Sequence, residues 1–164
     1  MRSDEAYADF SARFRFKFRW SFGGARLLFR VQDSRRFYAL DVPWCGQQNR
    51  ARHFWAGMVI ADGTPLQRYL NFGLVPGLCA KHPSWYEARV EAKGPRLRAW
   101  IEDILVADVQ DDTYASGRFG LGGIISLGGR RPISVASKWT ARRWLPPTGR
   151  AWCRRLSTGS APAP

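Results

Sequence analysis

A chain of 164 residues that is 45% hydrophobic and 14% aromatic is long enough for one domain with a buried core, and too rich in aromatics for a disordered segment. Its net charge of +13 is uneven: residues 1–60 carry 11 basic and 5 acidic groups (+6), residues 61–115 carry 6 and 8 (−2), and residues 116–164 carry 9 and none (+9). Such a surface either meets acidic partners (sulfated or uronic glycans, anionic lipid, nucleic acid) or is solvated charge alone. Cys45, Cys79 and Cys153 form no CxxC and no metal spacing, and they read as inert buried thiols; a Cys45–Cys79 pair would need an oxidising compartment. No stretch is apolar enough to span a membrane. "MRSDEAYADF" is acidic and polar, unlike a signal peptide, so an extracytoplasmic location would require a targeting segment upstream.

The first element is "FSARFRFKFRW". Phe10, Ala12, Phe14, Phe16, Phe18 and Trp20 alternate with Ser11, Arg13, Arg15, Lys17 and Arg19, the period of a half-buried strand. "ARLLFRVQ" and "FYALDVP" follow, joined by "DSRR", and the three are expected to form an antiparallel meander. "QQNRARH" reads as a polar loop. "FWAGMVI" and "LQRYLNFGLV" flank "ADGTP" as a hairpin. "PGLCAKHPS" is a proline-punctuated connection. "WYEARVEA" and "RLRAWIE" form a third hairpin around "KGP", followed by "DILVADVQ", the glycine-rich stretch "DDTYASGRFGLGGIISLGG" and "PISVASKW". The predicted domain ends at residue 145, and residues 146–164, rich in Pro, Gly, Ser and Arg, read as a tail or linker.

The glycine-rich stretch raises the question of a phosphate loop. No glycine here precedes Lys and then Ser or Thr, and "GRFGLGG" has the wrong spacing for a dinucleotide fingerprint. The strand reading fits better. Gly117 closes a turn, Phe119, Leu121 and Ile125 continue the buried alternation, and Gly120 and Gly122 leave the opposite face bare for close backbone packing, a bulge or a ligand.

The segment "WYEARVEAKGPRLRAWIEDILVADVQDDTYASGRFGLGG" resembles the central stretch of concanavalin A-like jelly rolls of the laminin-G and 3-keto-disaccharide hydrolase type. Trp85, Arg89, Val90, Gly94, Asp103, Asp111, Gly117, Gly120 and Leu121 carry the likeness. Asp9, Phe10, Phe29, Arg30, Tyr38 and Leu40 match that family's upstream block, so the resemblance spans roughly residues 7–140. It implies an all-β antiparallel jelly-roll sandwich with one concave sheet whose outward face holds a sugar. Two departures stand out. Ile104 occupies a hairpin position where the family carries Gly, and the chain starts where such domains already have one or two strands behind them, as a truncated or split domain would.

Glycoside hydrolysis needs paired carboxyls about 5–5.5 Å or about 6.5–9.5 Å apart. Glu87 and Glu91 share a strand face but lie about 13 Å apart along it, so Glu87 is a weak catalytic candidate. His53 and His82 have no partner in a known motif. Asp108, Asp111 and Asp112 could bind Ca²⁺ or could form a solvated turn; no other cofactor is expected. Strand alternation places Arg30 and Gln32, Glu87 and Arg89, and Arg98 and Trp100 outward. Together they offer fork-shaped donors, a carboxylate and an aromatic platform for a sugar; the alternative is a cross-strand ion-pair lattice. The stripe Arg13, Arg15, Lys17, Arg19, with charges about 6.6 Å apart, could track a polyanion or be solvated. The expected function is carbohydrate recognition. The rivals are a hydrolase of modified disaccharides and a polyanion-binding adhesion module, and nucleic acid is not expected as a partner.

Overall fold

The computed structural model describes residues 4–17, 24–43, 47–48, 51–79, 84–124 and 139–143, with the side chains of 47–48, 51–54, 79, 123–124 and 139–143 outside the description. These residues form eleven strands: β1 (Phe10–Lys17), β2 (Gly24–Val31), β3 (Arg36–Val42), β4 (Gln47–Gln48), β5 (Ala51–Asp62), β6 (Arg68–Cys79), β7 (Trp85–Lys93), β8 (Arg96–Ile101), β9 (Ile104–Gln110), β10 (Arg118–Ile124) and β11 (Trp139–Arg143). Every pairing is antiparallel. One sheet has the order β11-β1-β7-β8-β9; the other has β10-β2-β3-β5-β4, with β6 also on β5. This is the all-β jelly-roll sandwich expected from the sequence. Cys45, Cys153, His82, Phe18, Arg19, Trp20, Ile125 and residues 144–164 lie outside the described residues, as do the His53 and Cys79 side chains.

The core forms because one face of each strand is apolar and the two sheets turn those faces together. Phe10, Phe14, Phe29, Tyr38 and Val90 are all buried, with Leu121 packed against them. Phe10 sets its ring edge-on to Phe29 at 5.7 Å and to Phe119 at 4.6 Å, across the interior. Each large side chain removed from water in this way contributes about 1.5–3 kcal/mol.

Three expectations change. The first is the meander. β2 and β3 do pair, but β1 lies in the other sheet between β7 and β11. Period-two alternation specifies which face of a strand is buried and is silent about its neighbour, and the aromatic rows of β1 and β2 meet face to face instead of side by side. β1 is therefore not an edge strand. The second is the polar loop around 47–53, which holds β4 and the start of β5. The third is the connection after Val75: β6 continues through Pro76 to Cys79, on the sheet's edge, where a missing N–H is tolerated.

Residues 118–124 of the glycine-rich stretch form β10, with a register shift between Arg118 and Gly120. Gly117 is required by close approach: a Cβ there would lie 2.3 Å from the Arg30 carbonyl carbon. The β8–β9 hairpin, where Ile104 replaces the family's Gly, is built on two left-handed residues, Glu102 (φ 47°) and Asp103 (φ 62°). Ile104 itself pairs with Ile101, so it belongs to the ladder and needs no special backbone conformation.

Candidate functional site

The outer face of the five-stranded sheet holds four of the six expected sugar-binding residues. Arg89 lies opposite Trp100, and Glu91 opposite Arg98. The Arg89 guanidinium carbon sits 4.0 Å from the centre of the Trp100 ring and that of Arg98 5.3 Å from it. Glu91 binds Arg98 at 3.0 Å and Arg89 at 3.8 Å. Beside them a cavity of about 250 Å³ is lined by Glu87, Arg89, Trp100, Glu102 and Asp103. The basic stripe shares this face: Arg13 binds Glu87 at 3.1 Å, and Arg15 and Lys17 flank Trp85. The two surfaces read separately in the sequence are thus one. Its centre is the cross-strand lattice alternative, with Trp100 already stacked by Arg89 and Glu87 already paired.

Arg30 and Gln32 belong elsewhere, and this corrects the expected site. β2 uses four residues from Leu28 to Val31, while β10 uses three from Gly120 to Arg118. The extra residue makes a bulge at which Arg30 takes φ 47° and the alternation that would have turned it outward is lost. Arg30 is 1% exposed. It donates to the carbonyls of Ala8 (2.8 Å), Gly94 (2.9 Å) and Tyr114 (2.9 Å), three segments at one end of the sandwich. Gln32 donates to the carbonyls of Arg30 and Ser116. Both close the fold, and neither stands with Arg89 and Trp100.

Two of the three calcium candidates are committed to protein partners. Asp108 accepts two hydrogen bonds from Arg96, at 2.8 and 2.6 Å. Asp111 accepts from the Thr113 amide at 3.0 Å and from the Tyr38 hydroxyl. Asp112 is exposed, and no group of three or more ligating side chains occurs among the described residues. Burial alone would raise the Asp111 carboxyl, but the hydrogen bonds from Thr113 and Tyr38 together hold it below the ordinary range. Burial first, then Asp111, pushes the Tyr38 phenol up to about 12. A carboxyl depressed in the folded state adds stability above its unfolded pKa of about 3.9 and loses it as pH falls through the folded value. Asp111→Asn is therefore expected to destabilise the chain at pH 7 by about 1–2 kcal/mol, with the gap to the parent closing as pH falls below the ordinary aspartate value of about 3.9. Urea titrations across that range measure it.

The outer face of the six-stranded sheet was not anticipated as a site. Register aligns Gly122, Arg26, Asp41, Gly57 and Phe72 in one cross-strand row, with Gly120, Leu28, Ala39, Val59 and Tyr69 in the next. Asp41 is fully buried and takes the Arg26 Nε and Nη2 protons at 2.5 and 2.6 Å. Burial raises its carboxyl above the usual aspartate range, and Arg26 offsets part of that. At the β6 edge three aromatics stand exposed: Trp55 at 40%, Tyr69 at 48% and Phe72 at 45%. Trp55 and Phe72 stack at 5.6 Å and 17°, and Tyr69 meets Phe72 at 4.8 Å. The floor between, Phe37, Ala39, Val59 and Ala61, is buried. A cavity of about 280 Å³ continues past Phe37 and Ala61, lined by Ser34, Arg35, Thr64 and Gln67 among others. The sequence signal was Asp41, a lone carboxylate in the apolar run "FYALDV".

A family model described as a 3-keto-alpha-glucoside-1,2-lyase-like domain matches residues 1–128. The chain belongs to this family. Among solved structures this lyase-like domain is similar to the carbohydrate-binding module CBM66 from Bacillus subtilis, with TM-score 0.61, 20% identity, and 84% of this chain and 74% of that chain covered. It is also similar to a tetrameric galectin from the ball sponge Cinachyrella sp. (TM-score 0.57, 11% identity, 86% and 97% covered) and to LamAcat from Zobellia galactanivorans (TM-score 0.53, 13% identity, 85% and 64% covered). At these identities the likeness establishes the shared fold. No curated protein matches the lyase-like domain in sequence.

Proposed function

We propose that the chain is a glycan-binding module whose ligand lies across the outer face of the six-stranded sheet. One observation carries this: bare backbone at Gly122, a fork-shaped donor at Arg26 and an exposed ring at Phe72 stand in one row across the sheet. Asp41 fixes the Arg26 guanidinium and uses two of its five N–H groups, leaving donors for sugar hydroxyls. Phe72, held between Trp55 and Tyr69, offers a flat apolar surface to a pyranose C–H face. Gly122 beside Arg26 lets a ring approach the sheet closely: among the described residues a Cβ there would meet Leu28 and Arg26 alone, at 3.7 and 3.9 Å. The likeness in fold to CBM66, a carbohydrate-binding module, supports the reading.

Binding is favoured over turnover by the state of Asp41. It is buried beneath Arg26 and held bidentately, so it cannot reach a scissile bond. Calorimetry against a panel of neutral oligosaccharides tests the proposal. Arg26→Ala and Phe72→Ala should each weaken binding at least about tenfold, or about 1.4 kcal/mol, while Trp100→Ala leaves it unchanged. Loss of binding in Trp100→Ala alone would move the site to the five-stranded sheet. Release of a new reducing end or an unsaturated sugar would make the chain an enzyme.

A further inference from the structure

We infer that the five-stranded sheet carries a second site, for a saccharide bearing an anionic group, at Arg15, Lys17 and Trp85. Three outward cations on β1 stand two residues apart. Arg13 is paired with Glu87 at 3.1 Å. Arg15 and Lys17 have no carboxylate partner among the described residues. What holds these two cations on the same side is an indole: the Arg15 guanidinium carbon lies 5.6 Å and the Lys17 Nζ 5.0 Å from the centre of the Trp85 ring. The quadrupole of the ring attracts both cations, and among the described residues no carboxylate pairs with either; Glu87, opposite Arg15, binds Arg13. Lys17 is directly opposite Trp85 in the β1–β7 register. Trp85 remains 41% exposed, unlike Trp100, on which a guanidinium already lies at 4.0 Å.

Two cations around an open tryptophan match a ring with one sulfate or carboxylate: the anion bridges Arg15 and Lys17, and the sugar face covers the indole. A nucleic acid fits worse. Its phosphates recur about every 1.7 Å of duplex axis, and the neighbouring strand β7 sets Glu87 and Glu91 in the path of such a chain. Among the described residues the site is a discrete pair of cations beside an aromatic. It shares no residue with the Arg26–Phe72 face, so each can fail alone.

The test is fluorescence titration of the full chain with a heparin-derived hexasaccharide, hexagalacturonate, maltohexaose and a twelve-nucleotide oligo-dT. The two acidic hexasaccharides should bind, and Arg15→Ala with Lys17→Ala should weaken them at least about tenfold and lower the slope of log K against log salt by about 2. Trp85→Ala should weaken them with the slope kept, the mark of stacking as opposed to charge. Acidic saccharides that fail to bind at low salt, binding insensitive to the double variant, or oligo-dT binding as tightly as the hexasaccharides would each overturn the inference.

Discussion

Arg30→Ala is expected to lower the unfolding free energy by about 3–5 kcal/mol, the cost of breaking a buried charged group out of its hydrogen bonds. The side chain leaves the six-stranded sheet at a bulge and gathers the carbonyls of Ala8, Gly94 and Tyr114. These belong to the approach to β1, the β7–β8 turn and the loop before β10. Removing the guanidinium leaves three carbonyls without that donor, each costing about 1–3 kcal/mol if water cannot replace it, and opens a cavity between the sheets' ends. Arg30→Lys should recover only part, because one ammonium cannot reproduce a planar fork aimed at three acceptors. Thermal and urea unfolding measure the loss, which should reach on the order of 10 °C in Tm. Below the transition, glycan affinity should stay at the parent value. A variant with unchanged Tm and lost affinity would return Arg30 to the binding site.

Gly57→Ala should remove neutral-glycan binding while costing about 2–3 kcal/mol of stability. Gly57 sits on β5 directly opposite Phe72 on β6. A Cβ at this position would lie 2.4 Å from the Asn71 carbonyl oxygen and 2.8 Å from Phe72 Cδ2. Backbone cannot yield as a flexible side chain can, so β6 must move away from β5. That displaces Phe72 and breaks its stack with Trp55. Asn71 is disturbed too; it accepts from the Met58 amide at 2.9 Å and donates to the Val106 carbonyl at 2.7 Å, linking the edge of one sheet to the other. Gly73→Ala is the control, with none of the described residues within 4 Å of its added methyl. Calorimetry and denaturation of the two variants should separate sharply, and equal behaviour would mean that β6 does not shape the site.

Much of the site chemistry on the five-stranded sheet was legible. Glu87, Arg89, Arg98 and Trp100 emerge outward because β7 and β8 keep strict alternation through Tyr86, Val90, Leu97 and Ile101. Their mutual engagement was not legible, because alternation gives the face of a residue and not its partner. Arg30 was misplaced for a single reason: one inserted residue in β2 reverses the faces beyond it. The Arg26–Asp41–Phe72 row was hidden because its members come from β2, β3 and β6, with β4 and β5 between the last two in sequence, and only the β2–β3–β5–β6 register brings them into line.

The sequence by itself determined the architecture. Period-two runs of Phe, Leu, Val and Ile bounded by turn residues allow little but stacked antiparallel sheets, since burying one face of each strand is the dominant favourable term. Tertiary structure alone decided which strands lie side by side, and with them which polar residues meet. Backbone hydrogen bonds are nearly indifferent to strand identity, so β1 could join β7 as readily as β2. The choice falls to the packing of whole faces and to single-residue events such as the bulge at Arg30, which no local pattern announces.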